Sequence, residues 1–349
     1  MAAGRKMAYT IIELAVDKGL QDMREDLHRG VRNLVDLGSV FAQGNLQQDF
    51  FERVKTILKN KKSPYFSLIS HFVHNVDHRV LKTCGINLGY NSWIYGAKKI
   101  RKYGKAGTAN IPWFLVFDFR QRAEAALAPA EISAVLTSAK ELGIYCGIFF
   151  VNKEFELEAL IPVLSEHRDN IFLLFAPAES ETAAVAESVV QAANIILVLE
   201  TDPDNYSWLN KTAAELLFSK KCLYGAYTFY HDDNLDSIMT GSYGRLLENL
   251  KCPFAFLVRK PSGSLQKEEQ FTEFLKQARD LKTNRFFLMD FYKDLSYVNQ
   301  IISAQNPFLA IRQDGTVAFS SLDGASDGLR DGLNIKLSSL PDILQRVNP

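Results

Sequence analysis

Four cysteines, Cys84, Cys146, Cys222 and Cys252, are scattered through 349 residues with no CxxC or CxxxCxxC spacing. A cluster or a zinc ion usually draws two ligands from one tight turn, because the turn fixes their separation. Cys146 and Cys222 instead lie within or beside apolar strand patterns and read as small buried hydrophobes. Free thiols fit a reducing cytoplasm. The stretch "SHFVHNVDH" sets His71, His74 and His78 at steps of three and four. On one continuous helix they would share a face and could take a metal. Asp77 has the character of an N-cap for the next helix, which puts His78 on another axis. His231-Asp232-Asp233 sets an imidazole beside carboxylates, a pairing suited to acid–base work and equally to an ordinary loop. No GxGxxG follows a strand, and GxxxxGK[ST], GxSxG and HExxH are absent. The basic run "KKIRKYGK" suits the end of a helix, where cations need no further partner.

The elements that must position these residues fall into two regions, 1–105 and 106–349. In the first, "IIELAVDKGL", "REDLHRGVRNLVDLGSVFA" and "QQDFFERVKTILKN" place apolar residues at helical steps. A last helix runs from Asp77 to Gly104. This region reads as a helical lead-in without an obvious core of its own. After "KAGTAN" the period changes. Short runs rich in β-branched and aromatic residues recur: "WFLVFDF", "IYCGIFF", "IFLLFA", "IILVLE", "LYGAYTFY", "PFAFLVR", "RFFLMDF" and "FLAIR". Several lack alternation, as expected of strands covered on both faces. Helical segments such as "PAEISAVLTSAKELG" separate most of them. Repeated β-then-α units predict an α/β fold with a parallel sheet and right-handed crossovers. We read a partial (β/α)6-type TIM-like barrel, then a C-terminal extension in which "RQDGTVAF" turns at Asp314-Gly315 as a hairpin.

Composition narrows the partners. Lys plus Arg and Asp plus Glu number forty each, so no net charge draws the chain to nucleic acid or to an anionic membrane. Glu13, Asp17 and Lys18 interrupt the N-terminal apolar residues, which argues against a signal peptide. No window approaches the roughly 18 apolar residues of a membrane span, so a cytoplasmic protein is expected.

In a parallel α/β barrel, ligands bind where the strands end and the βα loops converge. Those ends carry Asp118, Arg120, Asn152, Glu154, Asp202, Arg259 and Lys260 as ligand-binding candidates. Glu179 and Asp290 fall at the same level. His231, Asp232 and Glu200 are the candidates for catalysis, with Arg259 beside them.

The order of these pieces resembles the radical S-adenosylmethionine (radical SAM) superfamily, in a form with a helical N-terminal region. "CGINLGYNSWIYGAKKIRKYGKAGTANIPWFLVFDF" looks like the lead-in to the first strand, and "AKELGIYCGIFF" like the helix and second strand. "TGSYGRLLENLKCPFAFLV" is similar to a later unit, and "FLAIRQDGTVAF" to the terminal hairpin. The resemblance implies a CxxxCxxC loop after the first strand, whose thiolates hold a [4Fe–4S] cluster that in turn binds SAM. Here that loop is "RQRAEAALAPAE", shorter and without cysteine. The glycine-rich turn after the second strand is replaced by "VNKEFE", and Ser320 stands near a position where relatives carry cysteine. Arg120, Gln121 or Glu124 cannot replace a thiolate in kind. The resemblance with these departures implies a pseudoenzyme with no cluster, no metal and no other cofactor, whose SAM site is in question. It would bind or regulate, alongside a competent radical SAM relative or another protein partner. Two alternatives stay open: a barrel enzyme using acid–base or metal-assisted chemistry, and a sensor for a SAM-like or nucleotide-like molecule.

Overall fold

The computed structural model describes residues 2–42, 45–105, 110–178, 184–205, 207–260, 266–281, 286–303, 307–321 and 329–347. The N-terminal region is helical: α1 (Ala2–Glu25), α2 (Leu27–Phe41), α3 (Asn45–Lys59), α4 (Pro64–Asn75) and α5 (His78–Gly85), then a π-helical stretch (Ile86–Gly96) that runs on into α6 (Ala97–Lys105). Asp77 is the N-cap of α5 and accepts from the backbone N–H groups of Arg79 and Val80, so His71 and His74 lie on α4 and His78 on α5. His78 Nε2 meets Asp17 Oδ1 at 2.8 Å. The helices also hold a small apolar cluster of their own, with Leu20, Met23, Val31, Leu58, Phe66 and Val73 buried together. Such a cluster is not legible beforehand, because each helix shows its apolar stripe without showing which other stripe covers it.

The barrel region begins with β1 (Phe114–Phe119), α7 (Pro129–Leu142), β2 (Cys146–Val151), α8 (Leu157–Glu166), β3 (Ile171–Ala176), α9 (Ala186–Ala192) and β4 (Ile195–Glu200). It continues through α10 (Trp208–Ser219), β5 (Tyr224–Tyr230), α11 (Leu235–Met239), α12 (Ser242–Asn249), β6 (Phe254–Arg259) and α13 (Glu268–Leu281). β7 (Phe287–Asp290), α14 (Phe291–Ser303), β8 (Pro307–Arg312), β9 (Thr316–Ser321), β10 (Leu329–Asn334) and α15 (Leu340–Val347) complete it. The strand order is β10-β9-β8-β1-β2-β3-β4-β5-β6-β7. β1 to β7 are parallel neighbours in chain order, and β8 returns parallel to β1 on its other side. The expected partial barrel is therefore extended by β7 and β8. Because β10 and β7 stand at opposite ends of the order, the sheet does not close. β8 and β9 form the expected hairpin, and Gly315 holds its turn at φ +86°, a backbone setting that costs glycine little.

One core runs through the sheet and the helices packed against it. Side chains on β2 and β3 meet side chains on β5 and β6: Phe150 lies 6.0 Å from Tyr227 and Phe175 lies 5.2 Å from Phe256. Strands that are not neighbours in the sheet can touch this way only across its concave face. That face is the barrel interior. Among the described residues, no helix is long and apolar enough to cross a membrane.

Candidate functional site at the barrel mouth

The site starts at the end of β1. Asp118 is opposite Phe150 of β2 and Arg312 of β8 in the parallel register, so all three project to the interior face. The chain then leaves the strand, and Arg120 folds back. Its Nε and Nη2 donate to Asp118 Oδ1 and Oδ2 at 2.7 and 2.6 Å, the two-pronged geometry that only a guanidinium makes with a carboxylate. The guanidinium carbon lies 5.4 Å from the ring centres of both Phe150 and Phe229, within cation–π range. Burial pushes the Asp118 carboxyl up, but the hydrogen bonds and charge of Arg120 and the charge of Arg312 outweigh it and hold it below its ordinary value. Burial likewise opposes the charge on Arg120, and Asp118, Tyr292 and Tyr227 more than restore it. The mouth thus carries a fixed ion pair on an aromatic bed.

That bed is the part that sequence reading missed. Phe150, Phe175, Tyr227, Phe256 and Phe291 pack ring to ring, with Phe150 4.4 Å from Phe175 and Phe175 5.7 Å from Phe291. Each such pair contributes about 0.5–1.5 kcal/mol beyond its buried area. Strands apolar on both faces show no alternation, so the inward aromatics could not be told from those packed under helices, such as Phe117 and Phe149, which stack at 4.3 Å.

The other candidates are distributed around the rim. Asn152 clamps the first two loops: its Nδ2 donates to the Phe119 carbonyl at 3.0 Å and its Oδ1 accepts from Glu154 N–H at 2.9 Å. Glu154 itself is exposed, 3.8 Å from Arg122. Glu200 accepts from the Tyr227 hydroxyl at 3.0 Å and so joins the aromatic bed. Asp202 is exposed and caps its own turn by accepting from Asp204 N–H at 2.9 Å. His231 Nδ1 lies 3.5 Å from Asp233, whose side chain is 96% exposed. Asp232 accepts from Gln266 N–H at 3.0 Å. Arg259 faces Glu268 at 3.6 Å, and Lys260 is exposed. Asp290 is buried and accepts from the Tyr230 hydroxyl at 3.0 Å and from Lys293 N–H at 2.9 Å; burial raises its pKa. Glu179 lies outside the described residues. The structure therefore brings Asp118, Arg120, Asn152 and Glu200 onto or beside the aromatic bed. His231, Asp232 and Arg259 each meet a different group on the β5–β6 side.

The thiols are at the other end. Cys146 is the first residue of β2, and Cys222 and Cys252 stand two residues before the starts of β5 and β6. A six-residue strand is roughly 17–20 Å long, so these sulfurs are about a strand's length from the mouth. Cys84 sits on α5, its Sγ 3.4 Å from the Ala193 carbonyl. All four are buried, and burial pushes the thiols of Cys84 and Cys222 up to about 12. The residues at the mouth do not fit a cluster held by three thiolates: the loop after β1 offers oxygen and nitrogen donors alone.

Comparison with known structures places the architecture. Streptococcus suis SuiB, a radical SAM enzyme, in complex with its precursor peptide SuiA, superposes with a TM-score of 0.52 at 14% identity, covering 71% of this chain and 68% of that one. The fold is radical SAM-like. SuiB bound to S-adenosylmethionine gives the same TM-score at 13% identity, covering 70% and 68% of the two chains. At such identity the likeness is one of fold alone. No protein-family model matches the sequence, and none of the curated proteins matches it either.

Proposed function

We propose that this chain is a radical SAM-like pseudoenzyme that binds a peptide or protein partner at the barrel mouth and works without an iron–sulfur cluster. One observation carries the reading. Where the resemblance assigns three thiolates, the chain has an arginine that pairs with Asp118 and lies across Phe150 and Phe229. An ion pair on an aromatic bed recognises side chains and backbone carbonyls; it does not ligate iron. The SuiB complex with SuiA supports a peptide as the kind of partner, and a competent radical SAM relative would be a natural companion. Anaerobic reconstitution with iron and sulfide, followed by optical and EPR spectra, tests the proposal. We expect no stoichiometric [4Fe–4S] signal and no reductive cleavage of SAM; either one would sink it.

A second reading, a small-molecule sensor, draws support from the SuiB complex with S-adenosylmethionine. Thermal-shift measurements with SAM and S-adenosylhomocysteine separate the two, because a ligand at 100 times its Kd stabilises the protein by about 2.7 kcal/mol. An Arg120→Ala variant locates any such binding at the mouth.

A further inference from the structure

A cavity of about 320 Å³ lies between the N-terminal helices and the barrel. Ile12 and Val16 of α1, Leu37 of α2, Tyr90 of the π-helical stretch and Ile301 of α14 contribute to its wall, and among the described residues no charged one lines it. Protein interiors hold few voids larger than a water molecule. An apolar cavity of about 150 Å³ stays dry and takes up benzene, so roughly twice that volume has room for a single medium-length hydrocarbon chain.

Gly85 and Gly89 of the wall differ from nearby Gly96 in what surrounds them. A Cβ built on Gly85 or Gly89 meets no atom within 4 Å, whereas one built on Gly96 would lie 2.3 Å from the Gly143 carbonyl oxygen. Gly96 is needed by a contact. Gly85 and Gly89 are needed by none, and neither has the positive φ that favours glycine. Glycine inside a helix is less stable than alanine there, so these two positions hold space open at a cost to the helix. They sit four residues apart at the start of the π-helical geometry, a form that recurs at functional sites. On the other wall, α1 turns Ile12, Val16 and Leu20 to the cavity, a stripe at steps of four that keeps this side apolar.

We infer that this cavity is a binding site for one fatty-acyl chain, its polar head left outside the uncharged wall. The site is separate from the barrel mouth and stands whether or not the mouth holds a peptide. The test titrates the full chain with dodecanoate and with dodecylphosphocholine, both below their micelle concentrations. The readouts are tryptophan fluorescence, since Trp93 is in the wall, and the unfolding temperature. Saturable binding of either probe is expected, and which of them binds tells a free acid from a lipid-borne chain. Gly89→Leu should weaken binding at least about tenfold while its unfolding temperature without ligand holds or rises, because the leucine fills the space. Gly85→Leu, on the same wall, serves if Gly89→Leu does not fold. No saturable binding of either probe, or equal binding to the filled variant, overturns the inference.

Discussion

Arg120 shows how much one residue decides at this site. Its two bonds to Asp118 fix a positive charge above Phe150 and Phe229, and that charge in turn keeps Asp118 ionised. Because the folded pKa of Asp118 is depressed, its contribution to stability is complete above the unfolded value of about 3.9. It is lost as pH falls through the folded value. Replacing Arg120 by methionine leaves a half-buried carboxylate without its partner and should cost about 1–2 kcal/mol near neutral pH, a figure kept low by partial exposure. In urea titrations, the variant should lose less stability than the parent between about pH 5 and pH 2. Identical pH profiles would show that the pair contributes nothing. Asp118 and Arg120 could be picked from the sequence because they follow a strand. Their aromatic bed could not, since it is assembled from β2, β3, β5, β6 and α14.

At the scale of elements, helix and strand types were legible because a 3.6-residue period and short apolar runs are local properties. The turn at Asp314-Gly315 was legible for the same reason. Two features were not. β8 pairs with β1 across most of the barrel chain, a contact no local pattern encodes. The π-helical stretch keeps four-residue apolar spacing, with Ile86, Tyr90 and Ile94 in step, so it reads as an ordinary helix. What fixes that stretch is tertiary. Asn87 Nδ2 donates to the carbonyls of Arg168 and Asn170, both at 2.7 Å, and Asn91 Nδ2 donates to Asp169 at 3.0 Å. Gly96 then meets Gly143, the C-cap of α7 at φ +104°. Gly143→Ala would set a Cβ 2.7 Å from the Gly96 carbonyl oxygen and place alanine at positive φ. It should destabilise by about 2 kcal/mol or more, measured by chemical denaturation. A neutral outcome would mean that α6 can move away from α7 freely.

For the molecule as a whole, the four thiols give a clean report on unfolding. All are buried, and burial raises the pKa of each, so the reactive thiolate is scarce at pH 7. A disulfide reagent should label none of them in the native state within minutes and all four in denaturant, at a rate that tracks opening of the core. Rapid labelling of any one under native conditions would place it on a mobile surface. The longest-range consequence belongs to α14. Its first residues, Phe291 and Tyr292, stand in and beside the aromatic bed, while Val298, Ile301 and Ile302 form part of the far cavity wall. Thirteen helical residues span about 20 Å, and a helix of that length tilts as a rod. One helix thus joins the cavity wall to the ring that packs on Phe150 under Arg120, so a rigid displacement of α14 moves both ends together.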